Sequence, residues 1–102
     1  MIHVIASIEL GPNTREAFLR EFHRVVPSVR AEKGCLDYGP CVDARTDIAA
    51  QLPVRPNVVT IVERWADLAS LKAHLAAPHM AEYRTRVKDF VVGVSLQILE
   101  PA

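Results

Sequence analysis

Hydrophobic and polar residues alternate over the first ten positions of the chain. One face of this segment is wholly apolar and is formed by Ile2, Val4, Ala6, Ile8 and Leu10. The residues between them are His3, Ile5, Ser7 and Glu9. A period of two is typical of a strand with one buried face. The sequence "GPN" that follows predicts the end of this strand.

The next segment changes to a helical period. Its apolar residues recur at intervals of three and four positions and are Phe18, Phe22, Val25, Val26 and Val29. Asn13 followed by Glu16 predicts a capping box at the start of this helix. Pro27 has no amide hydrogen for the carbonyl of His23, so a kink or break is expected there. The last turn is expected to end near Gly34, as a helix C-terminal glycine.

Two strands and a long loop are predicted in the middle of the chain. The segment "CLDYGPCV" predicts a strand with one side formed by Leu36, Tyr38, Pro40 and Val42. Its Gly-Pro pair indicates an irregular or edge strand. Residues 43–56 show no sustained period and are predicted to form a flexible flap. The segment "NVVTIVERW" predicts a third strand, with one face formed by Val59, Ile61, Glu63 and Trp65. Glu63 is expected to be solvated or paired across strands.

The last third of the chain predicts helix, helix and strand. Asp67 can cap a helix whose apolar face is formed by Leu68, Leu71 and Leu75. Pro78 is expected to break this helix or to begin a new one, "PHMAEYRTRVK". The closing segment "FVVGVSLQIL" predicts a strand with one face formed by Phe90, Val92, Val94, Leu96 and Ile98.

The predicted order of elements is β-α-β-β-α-β, within one domain that spans residues 1–102. This order indicates an α+β fold of the ferredoxin-like type, with the helices on one face of an antiparallel sheet. The free face of the sheet is predicted to be too apolar to lie in water. Either a second subunit or a ligand cavity is therefore expected to cover it.

Composition and charge exclude several classes of function. Lys plus Arg and Asp plus Glu both number 12, so no net charge attracts nucleic acid or an anionic membrane. The N-terminus shows no secretion signal and no apolar run is long enough to span a membrane, so a cytoplasmic location is expected. Cys35 and Cys41 would lie roughly 20 Å apart in an extended strand, so they are expected to be free thiols.

His74 and His79 enclose the sequence "HLAAPH" and are the first candidates for chemistry. Five helical residues turn by about 140°, so the two side chains diverge, which disfavours a metal site. One alternative is that each histidine caps backbone groups at a helix junction. The other is that His74 points inward beside Leu71 and Leu75, where burial would keep it neutral and able to act as a base. The chain has no recognisable cofactor-binding motif.

Three segments carry a resemblance to a known family. They are "VVPSVRAEKGCLDYGP", "VTIVERWADLASLKAHLAAPHMAEY" and "LQILEP". Together they resemble the antibiotic biosynthesis monooxygenase superfamily, and within it the small bacterial quinol monooxygenases. The resemblance runs nearly from end to end. It implies a dimeric α+β barrel built from two ferredoxin-like protomers.

The resemblance also implies an activity. The superfamily oxidises dihydroxyaromatic substrates with molecular oxygen and without flavin, haem or metal, so no cofactor is expected. The expected partners are a small quinol-like aromatic, oxygen and a second copy of the chain. By position, His74 is the first candidate base and His79 the second or its hydrogen-bond partner. Trp65 is expected to form a cavity wall, Tyr83 and Arg84 to donate to an oxyanion, and Ser7 to contact substrate.

Two further branches of the superfamily define the alternatives. The haem-degrading branch uses an asparagine, a tryptophan and a histidine where this chain has Ser7, His74 and Arg84. These three differences disfavour haem. Another branch acts on phosphorylated breakdown products of a signalling molecule and shares the junction of histidine, proline and histidine. An isomerase or other non-redox enzyme therefore stays an alternative, as does a module that binds a small aromatic without chemistry.

Overall fold

Seven elements follow one another in the computed structural model, which describes residues 1–102. They are β1 (Ile2–Leu10), α1 (Arg15–Arg30), β2 (Cys35–Cys41), β3 (Val58–Trp65), α2 (Leu68–Leu75), α3 (Pro78–Val87) and β4 (Val91–Leu99). The strands form one antiparallel sheet in the order β2-β3-β1-β4. The helices lie on one face, so the predicted ferredoxin-like α+β fold is confirmed. No helix is both long enough and apolar enough to cross a membrane.

The core lies between the sheet and the helices. The alternation predicted for β1 is confirmed, because Val4, Ala6, Ile8 and Leu10 are all buried. The five apolar residues predicted for the face of α1 are buried against them. From β3 the core takes Val59, Ile61 and Trp65, as predicted. Two central strands and one helix therefore follow directly from their hydrophobic periods.

The ends of α1 differ from the prediction. The N-cap is Thr14 and not Asn13, so the predicted capping box is wrong. Asn13 lies in the preceding turn and adopts a left-handed conformation with φ of 62°. The helix continues through Pro27 to Arg30. Pro27 lies on the exposed side of α1, where water can satisfy the carbonyl that lacks a partner.

Gly34 does not end the helix. Helix α1 stops at Arg30, and Gly34 lies in the following turn with φ of +83°, a conformation that favours glycine. An added Cβ at this position would lie 2.1 Å from Ser70 Oγ. The turn before β2 therefore packs directly against the start of α2.

Strand β2 is an edge strand, as its Gly-Pro pair predicted. Its predicted face is wrong, because Leu36 is 51% exposed whereas Tyr38 is buried. The register with β3 shifts between Cys35 and Asp37, and this irregularity turns Leu36 away from the side of Tyr38. Val42, predicted on the same face, is also exposed.

The loop of residues 43–56 has its ends joined by an ion pair. Arg55 Nε donates to Asp43 Oδ2 at 2.8 Å, and a second guanidinium nitrogen donates to Asp43 Oδ1 at 2.9 Å. These bonds hold the pKa of the Asp43 carboxyl at about 2. The loop contains no helix or strand, and its flexibility stays a prediction.

Helices α2 and α3 meet at Pro78. Asp67 caps α2 by accepting a hydrogen bond from the Ser70 amide at 2.8 Å, and Pro78 is the first residue of α3, as predicted. The predicted apolar face of α2 is only partly buried. Leu71 lies in the core, whereas Leu68 and Leu75 are exposed, because the short helix turns His74 inward instead.

Strand β4 is an edge strand that the helices leave uncovered. A register shift opposite Glu9 and Leu10 places Val91 rather than Val92 against Leu10. Phe90 precedes the strand, so the predicted face of β4 holds only from Val94 onward. The exposed apolar side chains of β4 are Val92, Val94, Leu96, Ile98 and Leu99.

The free face of the sheet is less apolar than predicted. Ile5 and Val62 pair at its centre, but the neighbouring positions Ser7, Thr60 and Ser95 are polar. The side chains of β4 that point to the helix side remain exposed because no helix reaches them. The exposed apolar surface is therefore concentrated on β4 and not spread over the free face.

Candidate functional site

A cavity of about 530 Å³ lies between the sheet and helices α2 and α3. Twelve of its sixteen lining residues are hydrophobic. Its apolar wall is formed by Ala6, Ile8, Phe22, Ile61, Leu75, Met80, Val87, Val91, Val94 and Leu96, together with the ring of the two tyrosines, Tyr38 and Tyr83. The remaining lining residues are Glu63, His74, Arg84 and Lys88. The cavity thus combines a large apolar surface with a few groups able to transfer or donate protons.

Glu63 is a buried acid in this cavity. It follows Ile61 on the inward face of β3, and the side chain is 6% exposed. Its Oε1 accepts a hydrogen bond from Trp65 Nε1 at 2.9 Å. Burial raises the pKa of the Glu63 carboxyl to about 7, although the bond from Trp65 opposes this effect. The expectation of a solvated or cross-strand-paired Glu63 is therefore wrong.

His74 lies in the same cavity and is 2% exposed. Burial lowers the pKa of its imidazole, while the hydrogen bond and charge of Glu32 act in the opposite direction. The ring packs against Trp65, with 4.7 Å between centroids, and against Tyr38 at 5.3 Å. Of the two alternatives for His74, this placement agrees with the one in which the side chain points inward, where burial favours the neutral ring.

Glu32 joins the two histidines. Its Oε2 accepts hydrogen bonds from His74 Nδ1 at 2.9 Å and from His79 Nε2 at 3.0 Å. A carboxylate only accepts, so Nδ1 of His74 carries a hydrogen and Nε2 is left as the proton acceptor of a neutral ring. Gly34 permits this arrangement because it lets the turn that carries Glu32 approach α2 closely.

His79 and Trp65 lie behind the cavity rather than in its wall. His79 is partly exposed at the start of α3 and contacts Glu32. Trp65 is fully buried between Glu63 and His74 and does not line the cavity, contrary to prediction. It lies at the end of β3, where the sheet, Tyr38 and His74 enclose the indole. Trp65 thus supports two cavity residues instead of forming the wall.

Tyr83 and Arg84 line the cavity from α3, and their role as donors to an oxyanion stays a prediction. Burial raises the pKa of the Tyr83 hydroxyl, which keeps it a neutral donor. Arg84 lies at the exposed rim, and its guanidinium donates to the Leu75 carbonyl at 2.9 Å. This bond holds a positive charge beside the cavity opening.

Ser7 does not reach the cavity. It belongs to the odd-numbered side of β1 and pairs with Thr60 and Ser95 on the free face of the sheet. The cavity lies on the other face, where Ala6 and Ile8 point. The period of two in β1 separates Ser7 from the other predicted site residues.

The sequence reasoning missed Glu32 as a site residue and misjudged Glu63. For Glu63 a signal was present, because the strand alternation already placed it on the same face as Ile61 and Trp65. For Glu32 no local pattern exists, since its partners are 42 and 47 positions away. No group of three or more His, Cys, Asp or Glu side chains is arranged to hold a metal ion.

Comparisons with known proteins agree on one family. The sequence profile of the family described as antibiotic biosynthesis monooxygenase matches residues 1–86. The chain is 38% identical over 103 aligned positions to "Probable quinol monooxygenase YgiN" of Escherichia coli K12, covering 99% of this chain and 98% of that protein.

Solved structures share this fold. The crystal structure of PA3566 from Pseudomonas aeruginosa is 26% identical, with a TM-score of 0.80, and the match covers 99% of this chain and 93% of that one. The crystal structure of a protein described as antibiotic biosynthesis monooxygenase is 22% identical, with a TM-score of 0.81, and the match covers 100% of this chain and 99% of that one. At 22% identity, the second structure shows similarity of fold alone.

Proposed function

The chain belongs to the antibiotic biosynthesis monooxygenase family, and from this premise we propose that it oxidises a quinol or related dihydroxyaromatic with molecular oxygen. The family supports a monooxygenase-type role on a small molecule. The finer parts of the proposal are the quinol substrate, the use of oxygen and the independence from a cofactor. They draw support from the name of the YgiN relative and from the chemistry of the cavity.

The observation that carries the proposal is the pairing of a buried histidine with a largely apolar cavity. His74 is held by Glu32 with Nδ1 as donor, so Nε2 is free to accept a proton. The cavity volume of about 530 Å³ is large enough for a ring system of two or three fused rings. An acid-base group inside such a cavity suits a flat substrate with an acidic hydroxyl.

A quinol supplies the electrons for this reaction itself. Transfer of a ring hydroxyl proton to His74 Nε2 produces an electron-rich anion. This anion then gives two electrons to dioxygen. Monooxygenation then converts quinol and O₂ into hydroxyquinone and water, whereas simple oxidation gives quinone and hydrogen peroxide. Arg84 and Tyr83 can stabilise the ring anion as donors, and the apolar wall limits water around it.

The remaining predicted residues take indirect roles or none. Trp65 positions His74 by packing, and His79 acts through the oxygen of Glu32 that it shares with His74. Ser7 has no role in the proposed reaction, because it lies on the opposite face of the sheet. We also propose that residues 1–102 act as a single domain, as a homodimer and in the cytoplasm.

Oxygen consumption by the purified protein tests this function. We expect oxygen uptake with reduced naphthoquinols above the enzyme-free rate, without added flavin, haem or metal. His74→Ala should lower the rate by about 100-fold or more, because general acid-base groups contribute on that scale. His74→Gln, which keeps a donor for Glu32, should be equally inactive, and His23→Ala on the exposed side of α1 is the matched control.

Two results would contradict the proposal. One is a rate no faster than buffer that His74→Ala leaves unchanged. The other is product formation that proceeds equally well under argon, which would point to the isomerase alternative. Circular dichroism of each variant separates loss of chemistry from loss of fold.

A further inference from the structure

We infer that Glu63 is a second catalytic residue, a general acid that protonates the reduced dioxygen while His74 holds the proton taken from the substrate. The inference rests on the proposed function. It assigns the donor of the proton that reduced dioxygen takes up. The sequence resemblance assigned no role to this residue. It follows from where the structure places the carboxyl and from what surrounds it.

Glu63 lies where its carboxyl can reach a molecule in the cavity. Its side chain is 6% exposed and lines the cavity, on the same inner wall as His74. Oε1 accepts the bond from Trp65 Nε1 at 2.9 Å, and Oε2 has no hydrogen-bond partner within the chain. One carboxyl oxygen is therefore fixed, and the other is available to a molecule in the cavity.

No cation compensates the charge of an ionised Glu63. The titratable groups around it are Cys35 and Tyr38 from β2, Glu32 from the turn before β2, His74 from α2, Tyr83 and Arg84 from α3, and Lys88 directly after α3. Glu63 forms no ion pair with Arg84 or Lys88, which lie at the exposed rim. The negative charge of Glu32 further disfavours ionisation of Glu63. A buried carboxyl with one neutral donor retains its proton.

Glu63 and His74 contrast in how burial affects them. Burial raises the pKa of Glu63 to about 7 and lowers that of His74, so it favours the protonated acid and the neutral base. Two titratable groups whose environments displace their pKa values in opposite directions are typical of an acid and base pair. Each then acts from its uncharged form inside an apolar cavity.

In monooxygenation the ring hydroxyl gives its proton to His74, and the ring anion forms a carbon-oxygen bond to O₂, which oxidises the ring and reduces dioxygen to a bound peroxide. Glu63 donates its proton to the peroxide and so forms a ring hydroperoxide. The C–H bond at that carbon then breaks and its electron pair forms the new carbonyl, while the oxygen-oxygen bond breaks and the leaving hydroxide takes up the C–H proton as water. The proton on His74 then restores Glu63, so quinol plus O₂ gives hydroxyquinone plus water with no net proton change.

The pH dependence of kcat/KM for naphthoquinol oxidation tests the inference, after subtraction of the enzyme-free rate. The wild-type profile should be bell-shaped, rising as His74 becomes neutral and falling near pH 7 as Glu63 ionises. Glu63→Gln keeps an acceptor for Trp65 but has no proton to give. It should lower kcat by about 100-fold or more and abolish the alkaline limb.

Trp65→Phe supplies a readout that a purely structural role for Glu63 would not affect. Loss of the indole bond raises the pKa of Glu63 further, so the alkaline limb should move to higher pH. This variant retains the carboxyl and tests the inference even if Glu63→Gln does not fold. Glu82→Gln, an exposed change on α3, is the matched control and should reproduce the wild-type profile.

The outcomes separate this inference from the proposed function. An active wild type whose alkaline limb persists in Glu63→Gln and does not move in Trp65→Phe overturns the role of Glu63 alone. A wild type that consumes no oxygen overturns the function, and the inference with it. Loss of the limb in Glu63→Gln, with a shift in Trp65→Phe, supports both.

Discussion

At the scale of single residues, burial shifts the pKa values of Glu63 and His74 in opposite directions and favours the neutral form of both. Removing water disfavours whichever form of a group is charged, which is the carboxylate for Glu63 and the imidazolium for His74. Trp65 contacts both side chains, donating to one and packing on the other. One buried indole therefore supports both of the residues proposed to transfer protons.

Glu63 makes the stability of the fold depend on pH. The pKa of its carboxyl is about 7 in the folded chain and 4.5 for a free side chain. The folded state therefore binds the proton more tightly, and stability present below pH 4.5 is lost as the pH rises through about 7. At higher pH the loss should reach at most ~3 kcal/mol, given the free energy equivalent of each pKa unit.

Glu63→Gln should remove this loss. We expect the variant to unfold at a higher urea concentration than the wild type at about pH 8.5, and at a similar concentration at about pH 4.5. Glu82→Gln, on the surface of α3, should match the wild type at both values. A stability difference between Glu63→Gln and wild type that is the same at both pH values would contradict this reasoning.

At the scale of elements, the turn between α1 and β2 connects distant parts of the chain. Through Glu32 it holds the junction of α2 and α3, because both histidines at that junction donate to one carboxylate oxygen. Through Gly34 it packs against the first turn of α2. The orientation of the candidate base thus depends on a turn more than forty residues earlier in the chain.

Glu32→Ala should loosen this connection. The buried Nδ1 of His74 would lose its acceptor, and an unsatisfied buried donor costs about 1–3 kcal/mol. Glu32→Gln retains one acceptor oxygen and should therefore lose less stability than Glu32→Ala. Urea unfolding measures both variants, with Lys33→Ala in the same exposed turn as the control. Equal stability of Glu32→Ala and Lys33→Ala would show that the bonds contribute nothing to the fold.

The elements themselves were largely predictable, and the site only in part. Apolar residues at every second position identified β1 and β3, and apolar residues at intervals of three and four identified α1, because each element buries one face. Asp67 and Pro78 identified the starts of α2 and α3. The face of β2 and the start of β4 were not predictable, since register shifts depend on the partner strand. The inward position of His74 could be predicted from its neighbours Leu71 and Leu75 in the sequence. The role of Glu32 could not, because its partners come close only in the tertiary fold.

At the scale of the whole molecule, the apolar surface is unevenly distributed. The helices cover β1, β2 and β3 but leave β4 without a layer above it, and Val92 on this edge strand is 73% exposed. Exposed edge strands with apolar side chains favour association with another chain. The predicted homodimer would cover this surface, and the cavity opens beside it at Val94 and Leu96.

Light scattering at micromolar concentration checks the oligomeric state. We expect twice the chain mass of 11.3 kDa for the wild type. Ile98→Glu places a charge on β4 without changing the cavity wall, so it should shift the mass toward that of one chain. Leu52→Glu, at a position that is 82% exposed in the 43–56 loop, should leave the mass unchanged. A wild-type monomer would refute the dimer.

The contact at Gly34 restricts which sequences can build this site. Any side chain at position 34 would meet both Ser70 Oγ at 2.1 Å and Ser70 Cβ at 2.6 Å, so a smaller residue such as alanine at position 70 would not make room for it. The positive φ adds a second, independent restriction. An engineer who wishes to change substrate preference should therefore vary the walls at Leu75, Val94 and Leu96 and leave this turn intact.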